Sequence, residues 1–88
     1  MISITEEIRL RLAVLEPENL DIFDDSSAHA GHAGAANGGG HFDVTIVSPV
    51  FAGKKSLQRH RMVYQYLADL IPTQIHALSI RALTPDEF

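Results

Sequence analysis

The chain has no cysteine among its 88 residues. It can therefore form no disulfide, and it supplies neither a thiol nucleophile nor a thiolate metal ligand of its own. Small secreted domains usually depend on disulfides, and residues 1–15 lack the basic and apolar segments of a secretion signal. These absences predict a reducing compartment, most simply the cytoplasm.

Long apolar runs and excess positive charge are also missing. No apolar run approaches the roughly 20 residues that would span a bilayer, so no membrane partner is expected. The formal net charge is −4, which disfavours a general nucleic-acid-binding protein because phosphate contacts need a cationic surface. Four of the seven lysines and arginines nevertheless fall close together, which predicts one basic surface on an acidic body: Lys54, Lys55, Arg59 and Arg61.

Length and composition predict one globular domain over residues 1–88. Apolar residues make up 45% and charged residues 20% of the chain, which is ordinary for a folded domain. At this size we expect one thin core and no deep cleft between two domains. The chain thus has little room for a substrate pocket.

The pattern of apolar residues predicts two helices and three strands. Ser3 and Glu6 form a capping box for a helix at about 4–15, which Pro17 ends. Alternation predicts strands at 20–25, 41–48 and 77–83. A second helix is expected at about 57–70 with Ser56 as its N-cap, and a single helical turn at 72–75.

These elements predict an α+β fold in the order α-β-β-α-α-β. The first two strands should form a long-looped hairpin, and the connection through the second helix is long enough for a parallel crossover. The result would be a three-stranded mixed sheet with helices packed on one face. Residues 28–40 consist almost entirely of Ala, Gly, His and Asn, so we expect a mobile loop at about 26–40.

No pattern of catalytic residues is found. Asp24 and Asp25 are adjacent at a strand end, so their side chains should point to opposite sides and cannot easily share a substrate. The segment 53–56 (GKKS) lacks the first glycine of a phosphate loop, and no serine or threonine directly follows its Gly-Lys. The chain is therefore not expected to be an enzyme.

The five histidines offer the clearest candidate ligands. His29 and His32 lie in the Ala/Gly loop, and His76 precedes the third strand. A loop ligand and a ligand on the scaffold could clamp a metal ion, although composition and spacing alone favour incidental exposed histidines. His60 is expected to be a hydrogen-bonded structural residue on the apolar side of the second helix, and His41 carries no clear indication of a role.

The basic residues at the start of the second helix have two interpretations. A helix N-terminus is already positive, so cations there cost a few tenths of a kcal/mol per charge when exposed. This arrangement favours an anionic partner such as nucleic acid, an acidic protein surface or a peptide carboxylate. The alternative is a solvated face whose aliphatic stems cover apolar surface.

Four motifs together resemble the BolA-like family, and they cover nearly the whole chain. Residues 51–64 (FAGKKSLQRHRMVY) match the pattern F-x-G-K…Q-R-H-R-x-V-Y. Residues 75–80 match H-A-L-S-I, and residues 83–88 match L-T-P-[DE]-[EQ]-W, with Phe88 in place of Trp and expected to keep its packing role. Residues 24–32 resemble the bacterial loop D-D-S-x-x-H-A-G-H, although the Ala/Gly insert at 34–40 lengthens it.

The resemblance implies a fold similar to type II KH domains and a non-enzymatic role as an adaptor. It implies a monothiol glutaredoxin partner and a [2Fe–2S] cluster shared between the two chains for iron–sulfur assembly, trafficking or iron sensing. The glutaredoxin cysteine and glutathione would supply thiolates. His76 would be the scaffold ligand, and His29 the loop ligand with His32 as its substitute. Relatives can pair with themselves, so a homodimer is a further expectation.

The residue-based analysis agrees with this implication. Iron–sulfur clusters need about four ligands, usually thiolates, so a chain without cysteine can supply only part of such a site. The family also implies an alternative function, a nucleic-acid-binding transcriptional regulator that uses Lys54, Lys55, Arg59 and Arg61. The net charge and the lack of a G-x-x-G loop weigh against that alternative.

Overall fold

The structure is a computed structural model that describes residues 2–25 and 40–88. His29 and His32 lie outside the described residues, as does nearly all of the loop predicted at 26–40. The described elements are α1 (Ile4–Leu12), β1 (Asn19–Asp24), β2 (Gly40–Val47), α2 (Ser56–Tyr64) and β3 (Ile75–Leu83). Short 3-10 turns occur at Ala13–Leu15, Pro49–Phe51, Ala68–Leu70 and Pro85–Glu87.

The three strands form one mixed sheet in the order β1-β2-β3. β1 and β2 are antiparallel, with Leu20 opposite Ile46 and Ile22 opposite Val44. β3 returns through α2 to lie parallel to β2. The predicted hairpin, crossover and α+β class are therefore confirmed.

The core lies between the helices and one face of the sheet. Alternate residues of the central strand β2 (Phe42, Val44 and Ile46) are buried on that face. They form a single cluster with buried side chains from both helices and the connections: Ile8, Leu12, Leu15, Phe51, Val63, Leu67, Leu70 and Ile75. The opposite face carries polar positions such as Asp43 and Ser79, which are exposed. The helices thus cover one face, as predicted.

The helix α1 begins at the predicted cap. Ser3 has an extended backbone, and its hydroxyl accepts a hydrogen bond from the Glu6 amide at 3.1 Å. On the same helix, Arg11 pairs with Glu7 one turn earlier at 2.9 Å and also with Asp69. Arg11 therefore ties α1 to the 3-10 turn Ala68–Leu70.

The second helix differs from its prediction at both ends. Its N-cap is Lys55 rather than Ser56, and the Lys55 amide donates to the side-chain oxygen of Gln58 at 3.1 Å. The α-helix ends at Tyr64 rather than near residue 70. The last residues of the predicted helix form the 3-10 turn Ala68–Leu70. The helical turn predicted at 72–75 is wrong, because residues 71–74 form a non-helical turn with a cis peptide bond between Ile71 and Pro72, and β3 begins at Ile75.

The helices are short. α1 and α2 have nine residues each, and no helix within residues 2–25 and 40–88 combines the length and hydropathy needed to cross a membrane.

Candidate functional site

His76 lies at an irregular point where β3 begins to pair with β2. Gly40 pairs with Ile75, but His41 pairs with Ala77, so His76 is the extra residue of a bulge. Ile75 is fully buried, whereas His76 and Ala77 are both exposed. A bulge commonly re-aims a side chain in this way, and here it holds the His76 imidazole at the surface on a rigid strand.

His41 lies next to His76. The centroids of the two imidazole rings are 5.3 Å apart, and the ring planes are inclined by 50°. The sequence analysis assigned no role to His41. The predicted topology contained the necessary information, because parallel strands start at the same edge of a sheet and these histidines stand at the starts of β2 and β3.

A depression of about 140 Å³ adjoins His41 of this pair. Asp25 and Asp43 line it together with His41, Ala77 and Ser79. The Asp25 amide donates to the His41 carbonyl at 2.7 Å, which fixes the end of β1 beside the start of β2. Imidazoles and carboxylates therefore share one edge of the molecule.

The donors of this edge fit a part of an iron–sulfur site. The chain has no sulfur donor apart from methionine, and His76 presents an exposed imidazole. Within the described ranges, no group of three or more histidine, aspartate or glutamate side chains is arranged to hold a metal ion. The described residues could thus supply imidazole ligands to a cluster but could not enclose one.

The predicted basic surface contains three exposed cations and one that is engaged. Lys54 and Lys55 are exposed just before and at the start of α2, whereas Arg61 is exposed in the last turn of this short helix. Arg59 has a side chain only 14% exposed, and its guanidinium donates to both carboxylate oxygens of Glu87, at 2.6 and 3.3 Å. It also donates to the carbonyls of Lys54 and Ala82, at 2.8 and 3.2 Å.

Arg59 therefore joins three segments: the turn before α2, the end of β3 and the C-terminal 3-10 turn. Glu87 also accepts from the Thr84 amide at 2.8 Å. The hydrogen bonds from Arg59, and secondarily that from Thr84, lower the pKa of Glu87 to about 2. The sequence analysis assigned Arg59 to partner binding and did not foresee this structural pairing.

Two predictions on aromatic side chains are wrong. His60 is exposed rather than on the apolar side of α2, and its ring stacks against Tyr64 with centroids 5.9 Å apart. Val63 of α2 and Leu67, which follows the helix, face the core instead and are fully buried. Phe88 is 69% exposed, so it does not have the predicted packing role.

A wider groove of about 420 Å³ separates the start of α2 from β3. Arg59, His60 and Glu87 line it together with residues 80–83 of β3. This groove and the histidine edge lie at different ends of β3, because His76 begins the strand and residues 80–83 end it. The molecule thus has two separate candidate surfaces.

Comparisons with known proteins agree on the family. A family model described as BolA-like protein matches residues 12–87. SufE-like protein 1, chloroplastic/mitochondrial, of Arabidopsis thaliana is 44% identical over 78 residues, which cover 83% of this chain and 21% of that protein. The DNA-binding transcriptional regulator BolA of Escherichia coli is 38% identical over 86 residues, covering 97% of this chain and 79% of the regulator.

A solved structure supports the same assignment. The BolA domain of SufE1 from Arabidopsis thaliana superposes with a TM-score of 0.83 at 41% identity, covering 100% of this chain and 99% of that domain. The chain spans about a fifth of SufE-like protein 1 and about half of the chloroplastic protein BOLA1 from the same plant. The match extends over nearly the whole chain in sequence and in fold, and the chain belongs to the BolA-like family.

Proposed function

We propose that this chain is a non-enzymatic adaptor that docks a monothiol glutaredoxin and shares a [2Fe–2S] cluster with it. The role would lie in iron–sulfur assembly, trafficking or iron sensing, in a reducing compartment such as the cytoplasm. Its named relatives are BolA-like proteins and transcriptional regulators. None of these names describes an enzymatic activity, which agrees with a role as an adaptor.

The observation that carries this proposal is an exposed imidazole on a chain without sulfur ligands. His76 stands at the surface on the bulge that opens β3, and the chain has no cysteine. A cluster needs about four ligands, usually thiolates. A partner must therefore bring the thiolates, which in a monothiol glutaredoxin would be its cysteine and bound glutathione.

The chemistry that this chain would add is histidine ligation. Replacing thiolates by imidazoles on one iron raises the reduction potential of a [2Fe–2S] cluster. His76 would be the scaffold ligand, and His29, or His32 in its place, would be the second ligand. The role of this chain would then be to present neutral nitrogen donors at a fixed place and to change the environment of the partner's cluster.

The test is to mix the chain with a cluster-loaded monothiol glutaredoxin and to record visible circular dichroism. We expect a changed cluster spectrum with the wild-type chain and no change with His76→Ala. His60→Ala is the matched control, because it removes an exposed histidine from α2 and should leave the changed spectrum intact. An unaltered spectrum with the wild-type chain would refute the proposal.

The same assay separates the two loop histidines. His29→Ala should abolish the spectral change if His29 is the second ligand, whereas His32→Ala should then preserve it. The opposite result would exchange their roles. If both variants, and the double variant, behaved as wild type, the loop would supply no ligand.

The second candidate is a nucleic-acid-binding regulator, favoured by the relatives named DNA-binding transcriptional regulator BolA in Escherichia coli and Vibrio cholerae. Three exposed cations on and just before α2 would contact phosphates: Lys54, Lys55 and Arg61. A type II KH-like fold would suit such a role. The formal net charge of −4 opposes it, and the pairing of Arg59 with Glu87 leaves fewer cations to contact phosphate.

The test of this candidate is the salt dependence of binding to duplex DNA. Replacing Lys54, Lys55 and Arg61 together by Gln should weaken binding and reduce the log–log salt slope by about 0.9 for each lost phosphate contact. Arg59 is left intact because its loss would also loosen the chain end. If DNA binding hardly changes between low and moderate salt, phosphate contacts do not drive it, and the regulator candidate is refuted.

A further inference from the structure

We propose that His41 and His76 form a binding site for a single divalent transition-metal ion in the isolated chain, without a partner or a cluster. The proposal names His41, to which the proposed function gives no role. It does not depend on that function, because the site would bind a free ion such as Zn²⁺. Its basis is the arrangement of the two imidazoles on the described strands.

The first argument is the distance between the rings. Nitrogen ligands lie about 2.0–2.1 Å from Zn²⁺, and structural zinc sites are tetrahedral. Two imidazoles that bind one ion at a tetrahedral angle therefore have ring centroids on the order of 5 Å apart. The centroids of His41 and His76 are 5.3 Å apart with inclined planes, so one ion can reach both rings with little movement of the side chains.

Second, the backbone beneath the two histidines belongs to paired strands. His41 belongs to the central strand β2, and its carbonyl accepts from the Asp25 amide. His76 is fixed by the bulge between Ile75, which is fully buried, and Ala77, which pairs with His41. Sites on strands hold their ligands more accurately than sites on loops, so little ordering is needed when an ion binds.

The third argument is the charge and access of the surroundings. Asp25 and Asp43 line the depression beside His41. Negatively charged carboxylates near a metal site strengthen the binding of a cation there. His76 is exposed, so an ion can enter from solvent. Because no third histidine, aspartate or glutamate of the described residues completes a metal cluster, water would fill the remaining positions.

The ligand type selects the class of ion. Imidazole suits Zn²⁺, Cu²⁺, Ni²⁺ and Fe²⁺, whereas Mg²⁺ and Ca²⁺ prefer oxygen ligands. The site should therefore take Zn²⁺ and ignore Mg²⁺ at the same concentration. A site with two protein ligands and open positions would bind and release its ion readily.

The test uses the full chain carrying His29→Ala and His32→Ala, so that the loop imidazoles cannot contribute. We expect calorimetric titration with Zn²⁺ to show a saturable site with at most one ion per chain, and Mg²⁺ to give no binding. Adding His41→Ala or His76→Ala should each weaken Zn²⁺ binding at least about tenfold, since loss of even an outer-shell partner costs that much. Adding His60→Ala should change nothing.

A spectroscopic measurement that needs neither His41→Ala nor His76→Ala gives a test that does not depend on the folding of these two variants. In ¹H–¹⁵N spectra of the same loop-substituted chain, Zn²⁺ should shift the amides of His41, His76 and Ala77 while those of α2 stay in place. The proposal is overturned if the loop-substituted chain no longer binds Zn²⁺, or if it binds equally well without His41. Neither result would affect cluster sharing through His76, which the glutaredoxin assay measures separately.

Discussion

Ser48 is a buried polar residue that connects the end of the first helical segment to the end of β2. Its hydroxyl donates to the Leu15 carbonyl at 2.7 Å and accepts from the Val50 amide at 3.3 Å. The side chain has no exposed surface. One hydroxyl thus forms hydrogen bonds to the backbone of the 3-10 turn after α1 and to that of the 3-10 turn after β2.

Ser48→Ala should lower the free energy of unfolding by about 1–3 kcal/mol, because the Leu15 carbonyl would lose its buried donor. Urea unfolding monitored by far-UV circular dichroism measures the change. Ser79→Ala is the control, since Ser79 is exposed on β3 and its removal should matter little. Equal stability of the Ser48→Ala chain and the wild type would show that water replaces this contact.

Glu87 provides a pH-dependent contribution through its pairing with Arg59. Its pKa falls from the usual 4.5 to about 2, chiefly through the hydrogen bonds from Arg59. A lowered pKa in the folded state stabilises the fold above the unfolded-state value and ceases to do so as the carboxylate is protonated. The contribution should be complete above about pH 4.5 and disappear as pH falls through about 2.

Glu87→Gln should therefore be less stable than the wild type at pH 7, and the difference should shrink from pH 4.5 downwards. The amide oxygen can still accept from Thr84, so the difference reports the pairing with Arg59. Urea midpoints measured between pH 7 and pH 2.5 give the profile. Glu18→Gln, at an exposed position, is the control, and a difference independent of pH would contradict the assignment.

A sequence motif marked His76 as a candidate ligand. The H-A-L-S-I motif identified His76, and the structure exposes it at the start of β3. The pairing of Arg59 with Glu87 joins residues 28 positions apart, and no local periodicity encodes such a contact. Arg59 was predicted to bind a partner because it lies close in sequence to three other cations, Lys54, Lys55 and Arg61.

At the scale of elements, the second helix shows what an apolar pattern can and cannot predict. The predicted helix extends to about residue 70, and Leu67 and Leu70 near its predicted end are indeed buried. The backbone nevertheless leaves the α-helix at Tyr64 and continues in turns. Leu67 and Leu70 still face the core, because consecutive turns can bury the same side chains as a helix.

Leu67 and Leu57 offer a matched comparison of this segment. Leu67→Ala should lower the free energy of unfolding by about 2–5 kcal/mol, because Leu67 is fully buried in the core. Leu57→Ala removes the same atoms from a side chain that is 60% exposed. The free energy of unfolding should therefore change by no more than about 0.5 kcal/mol. Chemical denaturation of both variants measures the contrast, and similar losses would mean that the segment after Tyr64 does not contribute to the core.

At the scale of the whole molecule, the sheet has one fully paired strand and two outer strands. β2 is bonded on both sides, whereas β1 and β3 each pair only with β2 in the described sheet. The sequence predicted this topology well, because the hairpin and the crossover follow from the order of elements and the length of their connection. The bulge could not be predicted, since it depends on where β3 meets β2 in space.

Amide hydrogen exchange should follow this arrangement. We expect the slowest exchange in β2 and fast exchange at those amides of β3 that point away from β2, because local opening is easiest at exposed backbone hydrogen-bonding groups. Exchange at two protein concentrations separates intrinsic protection from self-association. Protection of the outward amides of β3 that grows with concentration would instead indicate pairing with a second copy.

The bulge at His76 also bears on how the molecule remains dispersed. A long, regular outer strand is a template on which other chains can add and grow into fibrils, and natural proteins counter this with bulges and charged side chains. β3 is nine residues long, with an irregular register at His76 and an exposed Arg81 further along. Straightening the start of β3 by deleting His76 would restore a flat edge, and such a chain should aggregate more readily during refolding.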